Sequence, residues 1–178
     1  MRVYQKPGTI AVIILILIAV AAAGFFIYKK QKQPLSPPVP LRPLPELVFK
    51  NYEGLEVPIA AMKGHAILLN AWASWCPFCL KELDDLASLQ REYGDRIVVI
   101  AVNRGESLET AKKYTEQFFF AGNLQFVFDP SDSFYQSIGG FSMPETIFVD
   151  AEGFIRDHKR GPMDLIEMRR RVKQAFDL

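Results

Sequence analysis

The hydrophobic positions divide the chain into an N-terminal apolar run, a proline-rich stretch and a region of alternating strand and helix patterns. The apolar run, Thr9 to Tyr28, contains 20 residues and no charge. At about 1.5 Å per residue it would form a helix of roughly 30 Å, the thickness of a bilayer core. We therefore predict a short tail over 1–8 and a transmembrane anchor over 9–28. The alternative is a signal peptide cleaved after the small residues 21–23.

A basic and then proline-rich linker is predicted over 29–45. Residues 34–45 contain six prolines, which exclude a helix or a central strand. Such a segment adopts an extended polyproline II conformation of about 3.1 Å per residue. We interpret it as a spacer, and the alternative is a ligand for an SH3-type domain.

From residue 46 onward, short apolar runs alternate with helical periodicity, which predicts a mixed α/β sheet with helices on both faces. The predicted strands are a hairpin around the turn at 51–54 and the runs 65–72, 96–102, 124–128, 146–149 and 154–158. The predicted helices cover 77–93, 106–120, 131–138 and 164–176. Asp164 is the predicted N-cap of the last helix.

Charge is distributed unevenly, although the whole chain carries a net charge of only +1. Residues 1–45 contain six basic residues and no acid, so residues 46–178 carry a net charge of −5. This balance excludes the strongly basic surface of a nucleic-acid-binding protein. Hydrophobic residues make up 49% of the chain, which is too many for a disordered protein.

The two cysteines, Cys76 and Cys79, lie where a buried strand is predicted to end and a helix to begin. Reactive groups collect at the carboxyl ends of strands in open α/β sheets. Residues three apart share one helix face, within the roughly 4.4–6.8 Å Cα separation that a disulfide needs. If Cys76 is the N-cap and Pro77 the first helical residue, the N–H groups of the next two residues and the helix dipole favour a Cys76 thiolate. Cys76 would attack a disulfide, and Cys79, expected to be more buried, would resolve the mixed disulfide.

Three other interpretations of the cysteine pair are less favoured by the sequence. A zinc site needs two further ligands, and only His65 and His158 are available, without the spacing of a zinc site. A purely structural disulfide would close a very small ring and constrain little unfolded-chain entropy. Two buried thiols are the third interpretation. We expect no metal, and no cofactor other than the redox-active disulfide.

The segment LLNAWASWCPFCLKEL, followed by GGFSMPETIFVDAEGFI, resembles the thioredoxin superfamily, and within it the membrane-tethered TlpA/ResA/CcmG group. The resemblance covers about residues 46–178, and MPETIFVDAEG with RDHKRGPM is most similar to the CcmG (DsbE) branch. It implies a thioredoxin fold with an N-terminal hairpin and an extra βα unit over about 96–120, after one transmembrane helix. It also implies a cis bond at Met143–Pro144, in a loop that faces the disulfide and pairs with substrate backbone.

The resemblance draws attention to two polar residues near the cysteines. Asn70 stands where thioredoxin has a buried aspartate, and asparagine is usual there in this group. Glu82 follows Cys79 by three residues and matches an acid near the active site of the ResA-like branch. We expect it to accept the proton of Cys79 during resolution, and the alternative is a solvated charge on the helix face.

An apolar rim around the cysteines is predicted from Trp75, Phe78, Phe141 and Met143. Phe78 departs from the family pattern, in which a small or polar residue is more common before the second cysteine. We interpret the rim, with Pro77 and Pro144 beside it, as a surface that docks an unfolded or extended substrate. The alternative is that some of these side chains belong to the ordinary core.

The remaining polar candidates are assigned no chemistry. His158 is interpreted as a surface polar residue, and His65 is given no role. The basic run Arg169–Arg171 is interpreted as a solvated face of the last helix.

The function predicted from these features is a membrane-anchored thiol-disulfide oxidoreductase whose redox domain faces the periplasm or the cell exterior. Basic residues flank the apolar run on both sides and do not decide its orientation, so the placement depends on the redox chemistry. The resemblance implies reduction of apocytochrome c or a related precursor, with electrons from a membrane reductase of the CcdA/DsbD type. The alternatives are a thiol oxidase or isomerase of the same compartment, and a non-catalytic module whose rim holds a partner.

Overall fold

The computed structural model describes residues 7–32, 42–62, 64–118 and 123–178. The chain divides into two compact units, Met1–Pro37 and Pro38–Leu178. Most of the predicted tail, and positions 33–41 of the predicted linker, lie outside the described residues.

The first unit contains one helix, α1 (Pro7–Lys32), which covers the apolar run predicted to be a membrane anchor. The described side chains of this helix are exposed. Over the part of the chain that the structure describes, no helix reaches the length and apolarity that a membrane crossing requires. The anchor stays a prediction.

The second unit is built on an eight-stranded mixed sheet. Its strands are β1 (Arg42–Pro43), β2 (Val48–Asn51), β3 (Glu56–Pro58), β4 (Ala66–Trp72), β5 (Ile97–Arg104), β6 (Gln125–Asp129), β7 (Glu145–Val149) and β8 (Phe154–Arg160). They lie in the order β1-β8-β7-β4-β5-β6-β2-β3. Strands β4, β5 and β6 are parallel, and β7 runs antiparallel to β4. The continuous apolar sequence of β4 is explained by this central position, in which both faces are covered.

The described residues of this unit form four α-helices: α2 (Cys79–Tyr93), α3 (Leu108–Thr115), α4 (Ser133–Ser137) and α5 (Leu165–Phe176). Helix α5 begins as predicted, because the Asp164 carboxylate accepts the N–H of Glu167 at 2.8 Å. Helices α2 and α5 bury their apolar stripes against the same side of the sheet, around Leu86, Phe148 and Met168.

Helix α3 and strand β1 differ from the prediction. Helix α3 ends at Thr115, short of the predicted helix, because the N–H of Phe118 donates to the carbonyl of Thr115 in a tighter turn. Positions 119 and 120 of the predicted helix lie outside the described residues. Strand β1 lies inside the stretch predicted as linker, where Arg42 and Pro43 pair with β8. A proline is tolerated there because β1 is an edge strand.

The end of β4 is fixed by an aromatic cluster beside the cysteines. Trp72 is fully buried, and its ring lies 5.9 Å from that of Tyr114 and 5.8 Å from that of Phe126. The same cluster contains Cys76 and Cys79. The aromatic packing therefore anchors the strand end from which the cysteine loop emerges.

Candidate active site around Cys76 and Cys79

Cys76 and Cys79 form a disulfide with their Cα atoms 5.4 Å apart, inside the predicted range. Both residues are almost fully buried, with exposed fractions of 2% and 1%. The two cysteines are nearly equally buried in the disulfide form, so the greater burial expected for Cys79 stays a prediction for the dithiol form. Within the described residues, no three or more histidine, cysteine or acidic side chains are placed to hold a metal ion.

The helix after the disulfide begins later than predicted. Helix α2 starts at Cys79, with Phe78 at the N-cap position and Pro77 in the preceding turn. The N–H of Cys76 donates to the carbonyl of Ala73, and the N–H of Cys79 donates to the carbonyl of Cys76. The prediction of Cys76 as N-cap is wrong, because these two turns come before the helix. We expected the N–H of Cys79 to point at the Cys76 sulfur, but it donates to the carbonyl oxygen of Cys76.

The loop before Cys76 is held by Glu106, a residue that the sequence analysis missed. One carboxylate oxygen of Glu106 accepts the Ser74 hydroxyl at 2.5 Å, and the other accepts the Ser74 N–H at 2.8 Å. Asn103 donates its side-chain amide to that second oxygen at 2.7 Å. The sequence did contain a signal for this contact: Ser74 and Glu106 each follow one of two neighbouring parallel strands. Polar residues in such positions meet at one edge of the sheet.

The loop that faces the disulfide contains Met143 and Pro144. Their peptide bond is cis, as predicted. Met143 packs against the cluster that contains Trp72 and both cysteines, which places this loop beside the disulfide. The N–H of Gly161 donates to the carbonyl of Pro144 at 2.9 Å, so the end of β8 supports the loop from behind.

Glu145 holds this loop with a fully buried carboxylate. One oxygen accepts the N–H groups of Phe141 and Ser142 at 2.8 and 2.7 Å, and the other lies 2.6 Å from Nε2 of His158. Burial alone would raise the pKa of Glu145, but the hydrogen bonds from His158 and the two amides outweigh it and lower the pKa. The side chain of His158 is only 5% exposed. The interpretation of His158 as a surface residue is wrong, because β8 pairs with β7 and brings the imidazole to Glu145.

Tyr135 supports the same loop from another side. Its hydroxyl donates to the carbonyl of Ser142 at 2.7 Å. The guanidinium of Arg104 lies 3.5 Å from the centre of the Tyr135 ring and also pairs with Asp132. A Cβ atom at Gly140 would lie 2.5 Å from this ring. The ring therefore leaves room only for glycine at position 140.

Glu82 is buried, with 1% of its surface exposed, so the alternative of a solvated charge is wrong. One carboxylate oxygen accepts Asn70 Nδ2 at 2.9 Å and the Thr146 hydroxyl at 3.1 Å, and the other accepts the Met163 N–H at 2.8 Å. Burial raises the pKa of Glu82 to about 7, and the bonds from Met163 and Thr146 only partly offset it. The carboxyl group therefore changes its ionisation near neutral pH.

The apolar rim consists of three exposed rings and one half-buried side chain. Trp75, Phe78 and Phe141 are 61%, 60% and 78% exposed. Met143 is half-buried and packs against the core. For this side chain the alternative interpretation, that part of the rim belongs to the core, is confirmed. Pro77 is exposed between Trp75 and Phe78. Three aromatic side chains, two beside the cysteines in the chain and one on the Pro144 loop, are thus exposed, whereas the disulfide itself is buried.

The basic run on α5 is only partly solvated. Arg170 is exposed, whereas Arg171 is buried and pairs with Asp157 and Glu167 at 2.5 and 2.8 Å. The interpretation as a solvated face is therefore wrong for Arg171, whose charge is compensated inside the domain. His65 is exposed.

Comparison with known protein sequences gives matches that cover most of the second unit. The family model described as Redoxin matches residues 42–175. The thiol:disulfide interchange protein DsbE of Allochromatium vinosum is 31% identical over an alignment of 148 positions, which covers 80% of this chain and 79% of that protein. The thiol-disulfide oxidoreductase ResA of Geobacillus thermodenitrificans is 28% identical over 67% of this chain and 68% of that protein.

Solved structures match the same region. The exposed lipoprotein thioredoxin Etrx1 of Streptococcus pneumoniae superposes with a TM-score of 0.66 and 27% identity, over 72% of this chain and 98% of that chain. A thiol:disulfide interchange protein of the thioredoxin family from Chlorobium tepidum superposes with a TM-score of 0.66 and 23% identity, over 77% of this chain and 97% of that chain. The predicted thioredoxin-like α/β fold with a mixed sheet is confirmed.

Proposed function

The chain belongs to the Redoxin family and is a thiol-disulfide oxidoreductase, and we propose that it is a membrane-tethered reductant of disulfides in extracytoplasmic proteins. The proposed substrate is apocytochrome c before haem attachment, or a related precursor. The observation that carries the proposal is the Cys76–Cys79 disulfide, which has the exposed Trp75 and Phe78 next to it in the chain and Met143 of the Pro144 loop in the same packing cluster.

The exchange starts from the dithiol form. The Cys76 thiolate attacks one sulfur of the substrate disulfide, and the other substrate sulfur leaves as a thiolate and takes up a proton. Cys79 then loses its proton to the Glu82 carboxylate and attacks the Cys76 sulfur of the mixed disulfide. The second substrate sulfur leaves as a thiolate, and the Cys76–Cys79 disulfide forms. Two electrons pass from the enzyme to the substrate. The first substrate thiolate takes its proton from solvent, and the proton that Glu82 accepted from Cys79 balances the protonation of the second.

Glu82 is suited to the second step by its position and by its ionisation. It follows Cys79 by three residues on α2, so both lie on one helix face. A base is most effective when its pKa lies close to the working pH, and burial raises the pKa of Glu82 to about 7. A carboxyl group with this pKa can accept the Cys79 proton and return it to solvent between cycles.

The exposed rim supports a polypeptide substrate. Trp75 and Phe78, next to the cysteines in the chain, and Phe141, on the Pro144 loop, present exposed apolar area, which favours contact with the uncovered side chains of an unfolded chain. An apocytochrome before haem attachment has this character. The CcmG-like segment MPETIFVDAEG is the feature that favours this substrate over other disulfide proteins.

The proposed location combines the membrane with an oxidising compartment. The uncharged run 9–28 has 20 residues, the length of a bilayer anchor, and the prolines of 34–40, which precede β1, would hold the redox domain away from the lipid. Disulfide substrates persist outside the cytoplasm, so the domain is placed in the periplasm or at the cell exterior. A membrane reductase of the CcdA/DsbD type would return the disulfide to the dithiol form.

A trapping experiment tests the substrate. Cys79→Ser in the full chain leaves Cys76 to form a mixed disulfide that cannot be resolved, and the captured protein is identified by mass spectrometry. We expect c-type apocytochromes or related precursors among the adducts, and none in the Cys76→Ala, Cys79→Ser control. Adducts consisting only of other proteins would reject the proposed substrate.

The reduction potential of the full chain in detergent tests the direction of electron flow. A value near or below about −250 mV supports a reductant, whereas a value near −120 mV identifies an oxidant with an unusually stable reduced form. The redox state in cells provides a second measure, since a reductant is kept largely reduced. A Cys76→Ala strain with unchanged cytochrome c content would favour the non-catalytic binding module.

A further inference from the structure

We propose that Glu106 is a positioning residue for disulfide exchange, because its carboxylate fixes Ser74 and through it the loop that carries Cys76. This inference concerns the exchange chemistry and does not depend on which protein is the substrate. Glu106 lies on the segment between β5 and α3, outside the cysteine motif. Its role is therefore separate from that of Glu82, which belongs to α2.

Both oxygens of the Glu106 carboxylate accept hydrogen bonds. The two carboxylate oxygens accept three hydrogen bonds, of which two come from the hydroxyl and the backbone N–H of Ser74 at 2.5 and 2.8 Å. The third comes from Asn103 at 2.7 Å and fixes the carboxylate itself. Hydrogen bonds to an ionised carboxylate are stronger than those between neutral groups, so Ser74 is held in one orientation.

Ser74 transmits this restraint to Cys76 through the turn between them. The N–H of Cys76 donates to the carbonyl of Ala73 at 3.1 Å, which closes the turn on both sides of Ser74. Trp75, which lies inside the same turn, is 61% exposed and contributes little packing that could fix the loop. The Glu106 contacts therefore restrain the loop on the side where the core does not.

The sheet places Glu106 for this purpose. Strand β5 is parallel to β4, and Asn103 stands opposite Trp72 in the register. The chain leaves β5 through Gly105, which has a φ of +64° and donates its N–H to the carbonyl of Asp129. A residue with a side chain rarely adopts this conformation. The turn brings Glu106 back over the end of β4, within reach of Ser74.

A fixed loop should make the dithiol more reducing. When the loop is held in the dithiol form, less conformational freedom is lost as Cys76 and Cys79 join, so disulfide formation is more favourable. Loss of the Glu106 contacts would free the loop mainly in the dithiol form, because the disulfide already restrains it. The equilibrium should then shift toward the dithiol, and the potential should become less negative.

The test measures the equilibrium between the full chain in detergent and a dithiothreitol series. For Glu106→Ala we expect the equilibrium constant for disulfide formation to fall about tenfold, equivalent to about 30 mV for two electrons. Glu106→Gln can still accept from Ser74 N–H and Asn103 and donate to the Ser74 hydroxyl, so its constant should stay within about threefold of wild type. Glu109→Gln, which removes a charge from an exposed residue on α3, should leave the constant unchanged.

Each pattern of results decides the question. Equal shifts in Glu106→Ala and Glu106→Gln would show that the charge matters and not the restraint, and no shift in either would also overturn the proposal. Ser74→Ala, which removes only the hydroxyl bond, should shift the constant in the same direction by a smaller factor. If Glu106→Ala fails to fold, an unchanged constant in Ser74→Ala rejects the proposal.

Discussion

Nε2 of His158 and Oε2 of Glu145 lie 2.6 Å apart, and this buried pair joins β8 to the loop that faces the disulfide. The other oxygen of Glu145 accepts the N–H groups of Phe141 and Ser142. Since Pro144 directly precedes Glu145, a single carboxylate fixes both sides of the cis bond. A buried charge is tolerated only with such partners, so the pair and the loop depend on each other.

Replacing Glu145 should destabilise the whole domain. Glu145→Ala leaves two loop amides and His158 without their acceptor inside the protein, so we expect the free energy of unfolding to fall by about 3 kcal/mol. Urea unfolding of the oxidised chain measures this change. Glu152→Gln, at an exposed position in the β7–β8 turn, should change the free energy by less than about 0.5 kcal/mol. Equal values for the two variants would show that the loop does not depend on the carboxylate.

Glu82 should control the release of the mixed disulfide. In wild type we expect the rate constant of resolution by Cys79 to rise with pH through about 7, where Glu82 loses its proton. Glu82→Gln should lower this rate constant by about 100-fold at neutral pH and remove the inflection. Stopped-flow measurement of a preformed mixed disulfide with a cysteine peptide gives the profile.

An exposed acid on the same helix provides the control for this rate. Asp84→Asn removes one negative charge from α2 at a solvent-exposed position and should keep the wild-type profile. A profile for Glu82→Gln that retains the inflection near pH 7 would assign the titration to another group. Unchanged resolution in both variants would exclude Glu82 as the base.

The same carboxyl group should make the folded protein less stable as pH rises. The pKa of Glu82 is 4.5 ordinarily and about 7 in the folded protein, so between these values the folded state binds more protons than the unfolded state. The free energy of unfolding of wild type should therefore fall by about 3 kcal/mol over this range and level off above it. In Glu82→Gln this contribution is absent, so the difference between the two unfolding curves should grow from pH 4.5 to 7. Parallel curves would contradict the buried, protonated state.

Gly140 should be replaceable only when Tyr135 is absent. In Gly140→Ala the new Cβ would lie 2.5 Å from the Tyr135 ring, and the ring is held by Arg104 and by the Ser142 carbonyl. We expect Gly140→Ala to lower the free energy of unfolding by about 2 kcal/mol when Tyr135 is present. In a Tyr135→Ala background the same substitution should change it very little. A double-mutant cycle by urea unfolding measures this coupling. Additive losses would show that the ring is free to move.

The parts of the fold that sequence alone predicted are those decided by local pattern. Strand β4 was predicted because its apolar run is continuous, and α5 because Asp164 precedes an amphipathic stretch. The cysteine motif was also local, and its position at a strand end followed from the pattern around it. The boundaries of α3 and the start of α2 depend on single turn hydrogen bonds, which propensity does not resolve.

The residues that were missed act over long separations. Glu106 binds a residue 32 positions away, and His158 reaches Glu145 across two paired strands. Their contacts depend on strand order and register, which one sequence does not contain. The same is true of β1, whose two residues form a strand only because β8 offers an edge. Glu82 could be placed near Cys79 by helical spacing, whereas its burial depends on Thr146 and Met163 from distant segments.

The two outer strands of the sheet, β1 and β3, are short, and each ends in a proline, Pro43 and Pro58. Proline has no N–H group to offer to a neighbouring chain, and short edges give little length for pairing. Both borders of the sheet are thus closed to recruitment of further strands. A protein that handles unfolded chains beside an open sheet edge would risk co-aggregating with them. For the proposed function, we expect main-chain contact with a client at the Pro144 loop, away from these borders.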